Sequence, residues 1–155
     1  MKANSSLQTI LLVEDDTNDV LLFQRAYRKC KLANPLQIVG DGEAAQDYLA
    51  GSGKYADRES YPLPALVLLD FKLPRMSGLE VLAWMRSQTS LKRVPVVALT
   101  SSRERSDVNR AYDLGINSYL VKPVAFDNLM QLVKALGLYW MIMNEHSDLA
   151  QAENA

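Results

Sequence analysis

Cysteine is nearly absent from this chain. Cys30 stands alone, so no internal disulfide is possible and a reducing compartment suits the protein. Histidine is as scarce: His146, near the polar end of the sequence, reads as a solvated surface residue rather than a metal ligand or a phosphohistidine. Excess charge is missing too. The 17 lysines and arginines nearly cancel the 18 aspartates and glutamates, for a formal net charge of -1. That balance gives no footprint for nucleic acid or an anionic membrane. No basic segment or helix-turn-helix pattern is visible, and direct DNA regulation is not expected. No apolar run reaches the length of a membrane-spanning helix. The opening MKANSSLQT has one lysine and no apolar core of a secretory signal, which makes the cytoplasm the expected compartment.

What remains is an ordinary globular composition, 48% hydrophobic and 23% charged over 155 residues, enough for one well-buried domain. Short apolar runs alternate with helical patterns. Ile10 to Val13 is the first strand, and a helical period from Thr17 carries Val20, Leu21, Leu22, Tyr27 and Cys30 on one side until Asn34-Pro35. Cys30 is thereby expected in the core. Leu36 to Val39 is a second strand, and Ala44, Ala45, Tyr48 and Leu49 mark a second helix. Residues 51–64, rich in Gly, Ser, Pro and Tyr, read as an extended surface loop. Leu66 to Leu69 is a strand ending at Asp70, with a helix from Leu79; Val94 to Leu99 is the fourth strand, ending at Thr100. A helix over Arg105 to Leu114 closes at Gly115, Ser118 to Val121 is the fifth strand, and a last helix runs from about Phe126 to Asn144. Residues 1–8 and 145–155 read as tails, with one domain over 9–144. Five strands alternating with five helices argue a parallel sheet covered on both faces.

The strands end on chemistry. Glu14 and Asp15 follow the first, Asp70 the third, Thr100 the fourth and Lys122 the fifth. In a doubly wound sheet these ends share one edge, with a crevice where strand order reverses. Three carboxylates there repel, and a hard divalent cation such as Mg²⁺ stabilises their charged forms. Lys122 adds a positive charge for an incoming phosphoryl group, Asp70 becomes a nucleophile able to form an aspartyl phosphate, and Thr100 can donate a hydrogen bond to it. Each residue also has a plain structural role available. The acids can cap a helix, Thr100 can cap the next loop, and Lys122 can be a solvated lysine before a proline. Their coincidence at matching strand ends favours the chemistry.

LLVEDD, LLDFKLPRMSG, LTSS and YLVKP, in that order, resemble the motifs of the receiver domains of two-component response regulators. The resemblance spans about Thr9 to Asn144. It implies the five-stranded doubly wound α/β fold, (βα)5, with strand order 2-1-3-4-5. By position it makes Asp70 the phosphoacceptor of an Mg²⁺- or Mn²⁺-dependent reaction. Asp15 would bind the metal directly and Glu14 largely through water, and the main-chain carbonyl of Lys72 would complete the protein's share. Thr100 and Tyr119 match the switch pair, Lys122 the phosphoryl-binding lysine, and Lys122-Pro123 a cis peptide. On phosphorylation Thr100 would move toward the phosphoryl group and Tyr119 inward, changing the surface of the fourth helix, fifth strand and fifth helix for partner binding. The chain would catalyse only its own phosphorylation and dephosphorylation, and is not otherwise an enzyme. The segment GSGKYADRESYPLPALVLLDFKLPRMSGLEVL is similar to the small regulators paired with bacterial and cyanobacterial phytochrome histidine kinases, which makes such a kinase the expected partner.

Lys72 and Ser102, two residues beyond Asp70 and Thr100, are expected to flank the path of a hydrolytic water and to set phosphate lifetime. The run Leu138-Tyr139-Trp140-Met141-Ile142-Met143 is too apolar all round for a surface helix, and a homodimer through the last helix is expected. Two readings of other classes are less well supported. A phosphatase of the haloacid dehalogenase type needs a second acid where Lys72 stands. A receiver-like binding module that takes no phosphate would lack Asp15, Asp70 or Lys122, and all three are present. Gly51-Ser52-Gly53-Lys54-Tyr55-Ala56 fits GxGxxA but follows a helix rather than a strand, so it reads as loop.

Overall fold

A computed structural model of the chain describes residues 8–137. They form two compact units, residues 8–20 with 33–123, and residues 21–32 with 124–137. The elements in order are β1 (Ile10–Val13), α1 (Thr17–Lys29), β2 (Leu36–Val39), α2 (Gly42–Ala50), a 3-10 turn (Gly53–Tyr55), β3 (Leu66–Leu69), α3 (Gly78–Ser87), β4 (Val96–Thr100), α4 (Arg105–Asp113) and β5 (Ser118–Val121). A last helix, α5, is described over 126–137.

The larger unit is built on one parallel sheet in the order β2-β1-β3-β4-β5. The chain steps from β1 out to β2, then crosses back over β1 to β3, so strand order reverses between β1 and β3. All four residues of β1 and of β3 are buried, as continuous apolar runs in a parallel sheet should be. Leu11, Val13, Val67, Leu69, Val96 and Ala98 point into one core with α2, α3 and α4, where Ala45, Leu49, Val81, Leu82, Met85 and Ala111 meet them. Helix starts are set by short oxygen-bearing side chains: Asp41 accepts from the Ala44 N–H and Ser77 from the Glu80 N–H. In the smaller unit the Lys29 ammonium lies 5.9 Å from the centre of the Phe126 ring. Cys30 is half-buried there rather than core, with its sulfur 3.7 Å from that of Met130.

The start of β4 differs from the sequence reading. β4 begins at Val96 rather than Val94, because the Val94 N–H turns back to the Leu91 carbonyl and Pro95 has no N–H to give. Residues 51–64 form a largely exposed connection that is tied down at a few points. Tyr55 is buried, and Tyr48, Tyr55 and Tyr61 pack ring to ring, 5.1 to 5.9 Å between centroids. Arg58 holds this layer down, its guanidinium donating to the carbonyls of Tyr48 (2.8 Å), Leu49 (2.9 Å) and Tyr61 (3.1 Å). Two of these acceptors are carbonyls in the last turn of α2, where intrahelical partners run short; the Tyr48 carbonyl also accepts from the Gly51 N–H at 3.1 Å. Replacing Arg58 by Ala should cost about 1–3 kcal/mol of stability, measured by urea denaturation. Arg58→Lys should recover less than half of the loss, because an ammonium does not reproduce the planar fork.

Candidate functional site

The sheet register brings the chemistry together. Val13 pairs with Leu69 and Thr100 with Val121, so the residues after β1, β3 and β5 emerge at one edge. The backbone continues the ladder one step further: Glu14 N–H bonds the Val39 carbonyl (3.0 Å), Asp70 N–H the Val13 carbonyl (3.1 Å), and Lys122 N–H the Thr100 carbonyl (2.8 Å). The strand-end side chains are thereby fixed at their roots.

Their tips converge on one ammonium. Lys122 Nζ donates to Glu14 Oε1, to Asp19 Oδ2 at 2.9 Å and to Asp70 Oδ2 at 3.1 Å. Glu14 and Asp70 are buried, whereas Asp15 is exposed. Burial pushes the Glu14 carboxyl up, to about 7, against the opposing pull of Lys122 and of the Asp16 N–H. Burial alone would lower the Lys122 ammonium, but the hydrogen bonds to Glu14, Asp19 and Asp70 outweigh it and hold it above the ordinary lysine value. An open cavity beside them is walled by Asp15, Asp19, Asp70, Lys72, Ser101 and Lys122.

The donor set fits a hard divalent cation. Glu14, Asp15 and Asp70 each offer a carboxylate oxygen, and these oxygens lie within 4.8 Å of one another. Oxygen ligands of this charge suit Mg²⁺ or Mn²⁺. Three carboxylates, Glu14, Asp19 and Asp70, contact one ammonium and Asp15 stands beside two of them, so the cluster keeps an excess of negative charge that a cation would offset.

The Asp70 turn is held from both sides. Lys72 N–H donates to Asp70 Oδ1 at 3.1 Å and Gly78 N–H to the Phe71 carbonyl at 3.0 Å. A Cβ on Gly78 would fall 2.1 Å from the Asp70 carbonyl oxygen, so only glycine permits this approach. The Lys122–Pro123 peptide is cis.

Thr100 is fully buried, and its Oγ1 accepts from the Ser102 N–H at 3.2 Å. Tyr119 donates its hydroxyl to the Ser102 carbonyl at 2.9 Å and sets its ring edge-on to Phe71, 5.5 Å away. Burial raises the Tyr119 phenol above its usual value. Ser102 itself departs from expectation. Its side chain is buried and its hydroxyl donates to Asp107 in the first turn of α4, while Ser101 walls the cavity. Lys72 does line it.

Sequence reasoning missed Asp19 and the tie to Asp107. Asp19 stands in the first turn of α1, with no strand end to mark it in the sequence. Asp16 caps that helix, accepting from the Asp19 N–H at 3.0 Å. Leu138, Tyr139, Trp140 and Ile142 lie outside the described residues, as do Met141, Met143 and His146.

A family model, the response regulator receiver domain, matches residues 10–134. Response regulator Rcp1 of Synechocystis sp. is 39% identical over 134 residues, 86% of this chain and 89% of that protein. The probable methanogenesis regulatory protein FilR2 of Methanothrix harundinacea is 38% identical over 138 residues, 87% and 84% of the two. Three solved structures share the fold. The bacteriophytochrome response regulator RtBRR is 49% identical with a TM-score of 0.73, over 84% of this chain and 78% of that one. The phosphorylated cyanobacterial phytochrome response regulator RcpA is 38% identical with a TM-score of 0.77, over 87% and 94%. The Mn(2+)-bound form of Rcp1 is 39% identical with a TM-score of 0.75, over 86% and 94%.

In the absence of metal, Asp70→Asn should stabilise the protein by about 1 kcal/mol by removing a carboxylate that repels Glu14 while leaving Lys122 an oxygen acceptor. Thermal melts in chelator would check this, and a lower melting temperature for the variant would contradict the repulsion.

Proposed function

Because the chain belongs to the response regulator receiver family, we propose that it accepts a phosphoryl group from a sensor histidine kinase onto Asp70. The observation that carries this reading is Lys122 Nζ seated on Asp70 Oδ2, beside the oxygens of Glu14 and Asp15. In the transfer the phosphorus–nitrogen bond of a phosphohistidine breaks as a bond forms from phosphorus to an Asp70 carboxylate oxygen. The released imidazole keeps its lone pair. The backbone bonds at Asp70 hold the acceptor at the strand edge, which makes positioning a large part of the rate. Lys122 places fixed positive charge where the phosphoryl oxygens arrive. Glu14, Asp15, Asp70 and the carbonyl of Lys72 would hold Mg²⁺ or Mn²⁺, which supplies further positive charge against the phosphoryl oxygens. The Mn(2+)-bound form of Rcp1 supports a divalent metal here.

The product adds negative charge and strong acceptors at the edge of the sheet. Thr100 and Tyr119 are the switch pair that responds, carrying the change to the face of α4 and β5. Lys72, on the cavity wall, tunes the lifetime of the phosphate. The likeness to regulators of phytochrome systems supports a phytochrome-type kinase as donor. Self-association through Leu138, Tyr139, Trp140 and Ile142 rests on their apolar character in the sequence.

Acetyl phosphate with Mg²⁺ should phosphorylate the wild type at one residue, identified as Asp70 by mass spectrometry, and Asp70→Asn should take no phosphoryl group. Asp15→Asn should weaken Mg²⁺ binding by at least about tenfold, read by metal titration. Labelling of a residue other than Asp70 would overturn the assignment. Light scattering before and after phosphorylation tests association: a monomer in both states, with Asp70 modified, would remove the homodimer from this reading.

A further inference from the structure

Resting on the assignment of Asp70 as acceptor, we propose that Asp19 is a positioning residue that holds one Lys122 donor in reserve for the arriving phosphoryl group. An ammonium has three N–H donors and no acceptor. Here all three are taken, by Glu14, by Asp19 at 2.9 Å and by Asp70 at 3.1 Å. Lys122 can bond a phosphoryl oxygen only by giving up one of these partners.

The three bonds are not equally easy to break. The side chains of Glu14 and Asp70 are 4% and 6% exposed, and a carboxylate deprived of its partner there finds little water to replace it. Asp19 is 39% exposed, so solvent takes over its hydrogen bonding when the ammonium turns away. The exchange therefore falls on Asp19. Its backbone N–H is bound to the capping Asp16 carboxylate, which fixes the side chain's origin at the start of α1. Glu14 and Asp70 keep the lysine in place during the exchange, so the ammonium pivots rather than leaves. In this arrangement Asp19 restrains the reaction: each phosphorylation begins by breaking its bond to Lys122.

The full chain, with acetyl phosphate as donor and saturating Mg²⁺, tests the proposal through Asp19→Asn, Asp19→Glu and Asp16→Asn. Asp16→Asn removes the same charge from the same cavity wall, at a carboxylate that accepts from the Asp19 N–H rather than from Lys122. Asp19→Asn should raise the initial rate of Asp70 phosphorylation about three- to tenfold, the worth of one partly solvated charge-assisted hydrogen bond. Asp16→Asn should change it by less than about twofold, and that change should vanish at high ionic strength while the Asp19→Asn effect persists. Asp19→Glu should return the rate toward wild type. Mg²⁺ affinity, measured by titration without phosphate donor, should stay within about twofold for Asp19→Asn, since the carboxylate acts on the lysine and not on the metal. A rate for Asp19→Asn equal to that of Asp16→Asn, or below wild type, would overturn the proposal, as would a loss of Mg²⁺ affinity. No labelling of Asp70 in the wild type would instead overturn the acceptor assignment, and this inference with it.

Discussion

The Lys122 ammonium is the constraint on which the site depends. It ties the end of β5 to the ends of β1 and β3 and to the first turn of α1, through Glu14, Asp70 and Asp19. Buried carboxylates this close would otherwise favour protonation or separation. Glu14 shows the tension, since burial lifts its carboxyl to about 7 even with the lysine in contact. One ammonium does not neutralise this cluster. The pocket is therefore short of positive charge, a deficit that a divalent cation would offset.

From this pocket the structure runs outward through Ser102. Its N–H is held by Thr100 Oγ1, its carbonyl by the Tyr119 hydroxyl and its own hydroxyl by Asp107. Thr100 cannot swing its hydroxyl toward the edge of the sheet without giving up the Ser102 N–H. Tyr119 cannot turn without releasing the carbonyl of the same residue. Thr100 and Tyr119 thus share one backbone unit, and that unit is fastened to the first turn of α4. Coupling of this kind runs through hydrogen bonds with discrete made and broken states, which is what a two-state response requires.

Much of this was legible in the sequence. Short apolar runs ending in Glu14, Asp70, Thr100 and Lys122 gave strand type, parallel pairing and a common edge, because buried parallel strands tolerate little else. What escaped lacked a period or a strand end to announce it. Arg58 and the tyrosines of residues 51–64 form a packed layer from scattered positions, and loop composition does not disclose which carbonyls a guanidinium will find. Asp19 lies in the first turn of α1, but the sequence does not show which way its carboxylate turns. Ser102 follows Thr100 by two, a spacing that in an extended strand keeps the same side. The chain leaves the strand at Ser101, so the alternation fails there and the hydroxyl ends on Asp107.

Rigidity is distributed unevenly around Asp70, and that distribution is itself informative. The Asp70 backbone is locked by its bond to Val13, by Lys72 N–H on its carboxylate and by the close approach of Gly78. Further along the same loop, a Cβ on Gly42 would meet the Met76 carbonyl oxygen at 1.8 Å, so α2 clamps the loop from its other side. A nucleophile that must meet phosphorus in line gains from such fixing, since misplacement is costly in rate. Adaptation then falls to side chains: the Lys122 stem, the half-exposed Asp19 and the Thr100 hydroxyl. A fixed Asp70 with adjustable neighbours is the arrangement that the proposed phosphoryl transfer calls for, since the side chains can rearrange while the sheet beneath them stays the same.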